Sequence, residues 1–91
     1  MQPAPLMVYR RAWCEDSDAA VAYFHRRQIE YQEIDIEQDA TAAQGVAFVT
    51  GGDQITPTLV YRRQVIVCDP WKPDRFDAWW QFANTTFPDP G

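Results

Sequence analysis

The sequence predicts an α/β sandwich about one four-stranded mixed sheet, with helices on both faces and the element order β-α-β-α-β-β-α. Three observations predict it. Two short strand-like runs, Leu6–Tyr9 and Tyr31–Ile36, flank a stretch of helical spacing. Two further β-rich runs lie on either side of Arg62-Arg63. Large aromatic residues then recur at helical spacing from Phe76 to Ala83.

The elements follow from local chemistry. Leu6-Met7-Val8-Tyr9 is an uninterrupted apolar run, which suits a buried strand. Arg10 to Cys14 reads as a loop. A helix is expected from Asp16, with Ala20, Val21, Phe24 and Arg27 at helical spacing and Asp16 and Asp18 where carboxylates suit the helix dipole. Gln28-Ile29-Glu30 ends it. From Tyr31 to Ile36, Tyr31 and Glu33 alternate with Gln32, Ile34 and Ile36, giving a second strand. A strand, a helix and a strand make a right-handed crossover with parallel pairing. Asp39 caps a helix over Ala40–Val49, with Ala43, Val46 and Ala47 on one face. Gly45 weakens that helix and Gly51-Gly52-Asp53 stops it. Thr58–Tyr61 and Gln64–Cys68 form a hairpin about Arg62-Arg63. Pro70 and Pro73 enclose a turn, and Asp74–Asn84 is the last helix. Thr85–Gly91, with two prolines and no pattern, is expected to be a loose tail to a domain spanning residues 1–84.

Bulk properties narrow the function. Ninety-one residues, 46% of them hydrophobic, supply one domain with one modest core. A formal charge of −5 argues against nucleic acid, which needs a basic face. No apolar run approaches the roughly 20 residues of a spanning helix, so no membrane partner is expected. Met1 to Met7 lacks the regions of a signal peptide, which points to the cytoplasm. There a structural disulfide between Cys14 and Cys68 is not expected. Two cysteines and the single His25, read as a solvated helix residue, do not make a tetrahedral metal site.

Cys14 is the residue with chemistry. It stands where the first strand turns into the first helix, and orphan backbone N–H groups there favour thiolate over thiol. Arg10 and Arg11 lie just before it, placed to add to that effect. The plain alternative is a buried cysteine acting as a small hydrophobe.

The wider pattern resembles the glutaredoxin family. Tyr9-Arg10-Arg11-Ala12-Trp13-Cys14 is similar to that family's strand, basic residue, aromatic and nucleophilic cysteine, with Arg11 where many members carry Lys. Ile29–Ile36 resembles its second strand. Gly51-Gly52-Asp53-Gln54-Ile55-Thr56-Pro57-Thr58-Leu59 is similar to its glycine turn and Thr-Val-Pro-Thr segment. The resemblance covers residues 6 to 84 and implies a thioredoxin fold. The Gly-Gly turn and Asp69-Pro70 resemble the mycoredoxins, while Trp71–Phe76 resembles the hydrogen-donor redoxins that serve ribonucleotide reductase.

The resemblance also implies roles. Cys14 becomes the nucleophile of a thiol–disulfide oxidoreductase acting in redox homeostasis and electron transport. Pro57 becomes a cis-proline facing it, with the backbone just before it pairing to a substrate peptide. Arg11, Gln54, Thr56, Pro57 and Asp69 would bind the thiol substrate, and Trp13 and Trp71 would flank the active face. The partners implied are protein disulfides and a low-molecular-weight thiol, glutathione or mycothiol, with the chain a monomer. Cys14-Glu15-Asp16-Ser17 departs from the dithiol motif, because Ser17 replaces the resolving cysteine. That matches the monothiol members, and Ser17 is placed to hydrogen-bond the thiolate. Glu15-Asp16 is neither small nor apolar, which argues against an iron–sulfur cluster. The two acids oppose the thiolate and repel anionic glutathione, and Gln54 stands where glutathione users carry a basic residue. Cys68 is either a resolving thiol or a buried strand-end cysteine. A protein-specific electron donor and a non-catalytic binding module remain the competing functions.

Overall fold

In a computed structural model that describes residues 6–86, the chain runs β1 (Leu6–Arg10), α1 (Glu15–Arg27), β2 (Tyr31–Asp35), α2 (Ala40–Val49), β3 (Thr58–Tyr61), β4 (Gln64–Val67) and α3 (Pro73–Thr86). The sheet order is β2-β1-β3-β4. β1 pairs parallel to β2, with Leu6 opposite Tyr31 and Arg10 opposite Asp35. β1–β3 and β3–β4 are antiparallel. The mixed sheet and element order are those the sequence predicts.

The pleat sorts the strand residues between the two faces. Leu6 and Val8 of β1 and Leu59 and Tyr61 of β3 join Ala20 and Phe24 of α1 and Phe76 and Ala83 of α3 in one buried cluster. Its centre is aromatic: the rings of Phe24 and Phe76 lie 4.9 Å apart, and Trp71 sits 5.7 Å from Phe24 and 5.6 Å from Phe76. The opposite face is thinner. Tyr9, Thr58 and Val60 meet Ala42, Val46 and Val49 of α2 around a small cavity. Val46 is the buried residue of that helix, while Phe48 is 88% exposed.

Element ends follow expected devices. Gln28 closes α1 in a left-handed conformation, and its N–H and that of Ile29 return to the His25 and Phe24 carbonyls. The Asp39 carboxylate accepts from the Ala42 N–H at 3.0 Å and caps α2. Arg62 and Arg63 both have positive φ, so the hairpin has a two-residue loop whose twist matches its strands.

Several boundaries differ from expectation. α1 starts at Glu15, one residue early, which leaves Cys14 itself as the capping residue. β4 ends at Val67, although the Cys68 N–H still pairs with the Pro57 carbonyl at 2.8 Å. α3 opens on Pro73, a residue assigned to a turn; the first helical position tolerates proline because its N–H would be unpaired anyway. The same helix takes in Thr85 and Thr86, two residues of the expected tail, and the rest of that tail lies outside the described residues.

Candidate active site

Three segments meet at one end of the central β1–β3 pair. The first loop carries Arg11 to Cys14 out of β1; a 3.2 Å bond from the Cys14 N–H to the Arg11 carbonyl tightens it. The second is Asp53 to Pro57, which leads into β3. The third segment, Cys68–Pro70, follows β4. Together they enclose a cleft of about 430 Å³ lined by Arg11, Trp13, Cys14, Glu15, Asp16, Asp53, Gln54, Ile55, Thr56 and Asp69. Among the residues singled out from sequence, Ser17 and Pro57 lie buried behind this lining, and so does Cys68 at 2% exposure. The Thr56–Pro57 and Asp69–Pro70 peptide bonds are both cis.

Cys14 is half-buried and free of any disulfide. Its thiol reaches the Thr56 carbonyl at 3.5 Å. Burial is the largest influence on it and raises its pKa. Hydrogen bonds from the side chains of Ser17 and Thr56, and from the Ser17 and Asp16 N–H groups, outweigh that burial and bring the thiol below its ordinary value. The Ser17 hydroxyl is fully enclosed and has no other hydrogen-bond partner among the described residues. A thiolate at Cys14 supplies the missing acceptor.

The arginines do something other than the sequence suggests. Arg10 turns away from Cys14 to hold Asp18 at 2.5 Å and Glu33 at 3.0 Å. Arg11 donates to the Gln54 carbonyl at 2.5 Å and to its side-chain oxygen at 2.9 Å. Hydroxyl and backbone donors lead the lowering of the Cys14 pKa.

The acids divide. Glu15 and Asp53 are exposed at the mouth. Asp16 is half-buried and accepts the Trp71 N–H at 3.0 Å, tying the start of α1 to the approach of α3. A hydrogen bond to Asp16, some burial and repulsion by the same carboxylate raise the Asp69 pKa. Trp71 turns its ring into the aromatic core, so only Trp13, 69% exposed, stands open at the cleft. Burial pushes the Cys68 thiol up to about 12, with Arg75 offsetting and Asp16 adding to the rise. Burial of this kind holds a thiol in its protonated form at neutral pH. His25 is exposed, as expected, with its ring edge-on to Tyr31 at 5.4 Å.

Sequence reasoning missed Asp53 and Ile55 as cleft residues. Asp53 reads in sequence as a helix stop, and only its place beside the residues before Pro57 marks it as part of a wall.

Comparison with known proteins agrees with this geometry. The glutaredoxin family model matches residues 6–66. Two proteins of Mycobacterium tuberculosis, from strains CDC 1551 and H37Rv and each provisionally named a glutaredoxin, are 33% identical over 61 residues, which is 67% of this chain and 73% of theirs. Among solved structures, a thioredoxin-like protein superposes with a TM-score of 0.68 at 19% identity, covering 80% of this chain and 96% of its own. A buckwheat glutaredoxin in complex with glutathione gives 0.62 at 22% identity, covering 81% of this chain and 70% of its own. The architecture is a thioredoxin fold, and the chain belongs to the glutaredoxin family.

Proposed function

We propose that this chain is a monothiol thiol–disulfide oxidoreductase with Cys14 as its nucleophile. The observation that carries the reading is the enclosed Ser17 hydroxyl beside a half-buried Cys14 sulfur at the start of α1, together with the lowered thiol pKa. Family membership supports the reaction class. The thiolate attacks a mixed disulfide, forming a Cys14–S–S bond and expelling the other sulfur as a thiolate that takes a proton from solvent. A second small thiol then attacks the new disulfide, leaves as part of a small-molecule disulfide, and returns Cys14 as thiolate. The single cleft cysteine supports this two-step monothiol course, since Ser17 cannot close an internal disulfide.

The small thiol is of the glutathione or mycothiol class. The buckwheat relative's complex with glutathione supports that class. Thr56 and Pro57 present backbone to the substrate; Arg11, Gln54 and Asp69 shape the pocket. Two free cysteines suit a reducing, cytoplasmic setting, and we assign a monomer acting on protein disulfides.

The test compares Cys14→Ser with Cys68→Ser in reduction of a small mixed disulfide. Cys14→Ser should abolish turnover. Cys68→Ser should retain at least about half, because a thiol with a pKa near 12 is almost wholly protonated at neutral pH. Equal loss would replace the monothiol course with a two-cysteine one.

A further inference from the structure

Cys14 occupies the capping position of α1. A serine or aspartate there fixes the first helical turn by accepting one of its N–H groups, whereas a neutral thiol is a weak acceptor. The Asp16 and Ser17 N–H groups that favour the Cys14 thiolate therefore need another restraint to stay converged on the sulfur. Two acids of that turn are tied to other elements. Asp18 is held by Arg10 of β1 at 2.5 Å, but its side chain is 64% exposed, and ion pairs in solvent hold weakly. Asp16 is half-buried and accepts the Trp71 N–H at 3.0 Å, across 55 residues of chain. Trp71 is a firm anchor, because its ring lies 5.6 Å from Tyr23, 5.7 Å from Phe24 and 5.6 Å from Phe76 in the aromatic layer. Asp16 also hydrogen-bonds the Asp69 carboxyl. Its side chain thus faces the segment after β4 while its main-chain N–H serves the sulfur.

We propose that Asp16 is a positioning residue for the Cys14 nucleophile: its carboxylate ties the first turn of α1 to the Trp71 N–H and so holds the Asp16 and Ser17 N–H groups on the reacting sulfur. The proposal rests on the oxidoreductase reading and adds to it a residue that acts through the main chain. It also revises the role that the sequence suggests for this acid. The charge of Asp16 opposes the thiolate, as any nearby carboxylate does. The bond to Trp71 supports the thiolate, and the two effects reside in different parts of the side chain's chemistry, so substitution separates them.

The test compares Asp16→Asn with Asp16→Ala in the full chain. Both remove the same negative charge. Only asparagine keeps an oxygen for the Trp71 N–H, and its amide N–H groups suit the Asp69 carboxylate. Each reduced variant is alkylated with iodoacetamide across a range of pH, the Cys14 adduct is followed by peptide mass, and urea unfolding is measured alongside. The Cys14 pKa of Asp16→Ala should lie above that of Asp16→Asn by about half a unit or more, which is about threefold less thiolate well below either pKa. Turnover of hydroxyethyl disulfide in that pH range should follow the same order. Asp16→Ser, neutral and too short to reach Trp71, repeats the comparison if the alanine variant does not fold. Equal Cys14 pKa values in the two variants, whatever their stabilities, overturn the positioning role while wild-type turnover leaves the oxidoreductase reading in place. A wild type that reduces no mixed disulfide overturns the oxidoreductase reading, and the role of Asp16 falls with it even where the two pKa values differ.

Discussion

The Arg11 guanidinium spans the cleft floor to grip Gln54 twice, by its main-chain carbonyl at 2.5 Å and its side-chain oxygen at 2.9 Å. The turn before Cys14 is thus clamped to the loop before Pro57, across 43 residues of chain. Gln54 is held in a left-handed conformation, φ 51°, while it accepts both bonds.

Arg11→Lys should weaken the clamp, because an ammonium cannot match a two-pronged grip. In a denaturation double-mutant cycle with Gln54→Ala, the coupling should be about 1 kcal/mol. Gln54→Ala alone should cost less than Arg11→Lys, since the main-chain bond survives it. Zero coupling would mean that the two side chains do not meet in solution.

Ser17→Ala separates the electrostatic role of Ser17 from packing. The substitution deletes a hydroxyl that has no partner other than the sulfur, so folding stability should hold or rise slightly. The Cys14 pKa should move up toward the ordinary thiol value, read from alkylation rate against pH. The same shift sets a pH dependence of stability. A thiol with its pKa lowered by folding adds stability above its unfolded pKa and loses it as pH falls through its folded value. The stability advantage of wild type over Cys14→Ser should therefore grow as pH rises through that window. A flat difference would show that the thiolate gains nothing from its surroundings.

Asp69 behaves in the opposite sense. Its neighbour Asp16 raises its pKa, so the folded state holds that proton more tightly than the unfolded chain. The contribution is fully present below the unfolded carboxylate pKa and is lost as pH rises through the folded one. Asp69→Asn should raise the Tm near neutral pH, with the gain fading toward about pH 3. A Tm that falls at every pH would mean that the Asp69 carboxylate makes a favourable contact.

Phe76 is the centre of the aromatic layer, fully buried, 4.9 Å from Phe24 and 5.7 Å from Trp80. Phe76→Ala should cost about 3–5 kcal/mol, a large part of what a domain of this size holds. Chemical denaturation reads it directly. Phe48→Ala, at 88% exposure, should stay within about 0.5 kcal/mol of wild type.

What was legible in sequence was local. The Arg62-Arg63 hairpin could be read because β-branched runs abut a two-residue break, and the Asp39 cap because its partner is three residues away. The Cys14 cleft could be read because the glycine turn and Pro57 mark its second wall. Contacts between distant residues could not. Asp16 meets the Trp71 N–H across 55 residues, and the pattern around either gives no sign of it. Arg10 carries equal sequence credentials with Arg11 as a neighbour of Cys14. Strand pairing sets Arg10 opposite Asp35, its guanidinium reaches Glu33 two residues back along β2, and Asp18, one turn into α1, completes the capture. The end of α3 was hidden for a different reason: Thr85 and Thr86 are weak helix formers, held there by a helix already committed to the core.

The unequal packing of the two sheet faces has a consequence for motion. α1 and α3 share a continuous aromatic layer, so neither can leave without the other. α2 is anchored chiefly by Val46 and leads through Gly51-Gly52 straight into the wall formed by Asp53 to Thr56. Helices with so little buried surface open on their own, ahead of global unfolding. In this protein such an opening loosens α2 as far as Gly51-Gly52, while the Asp53–Thr56 wall stays tied to the Cys14 turn by the Arg11–Gln54 bonds and the Cys14–Thr56 contact. Amide protons of α2 should therefore exchange well before those of α1.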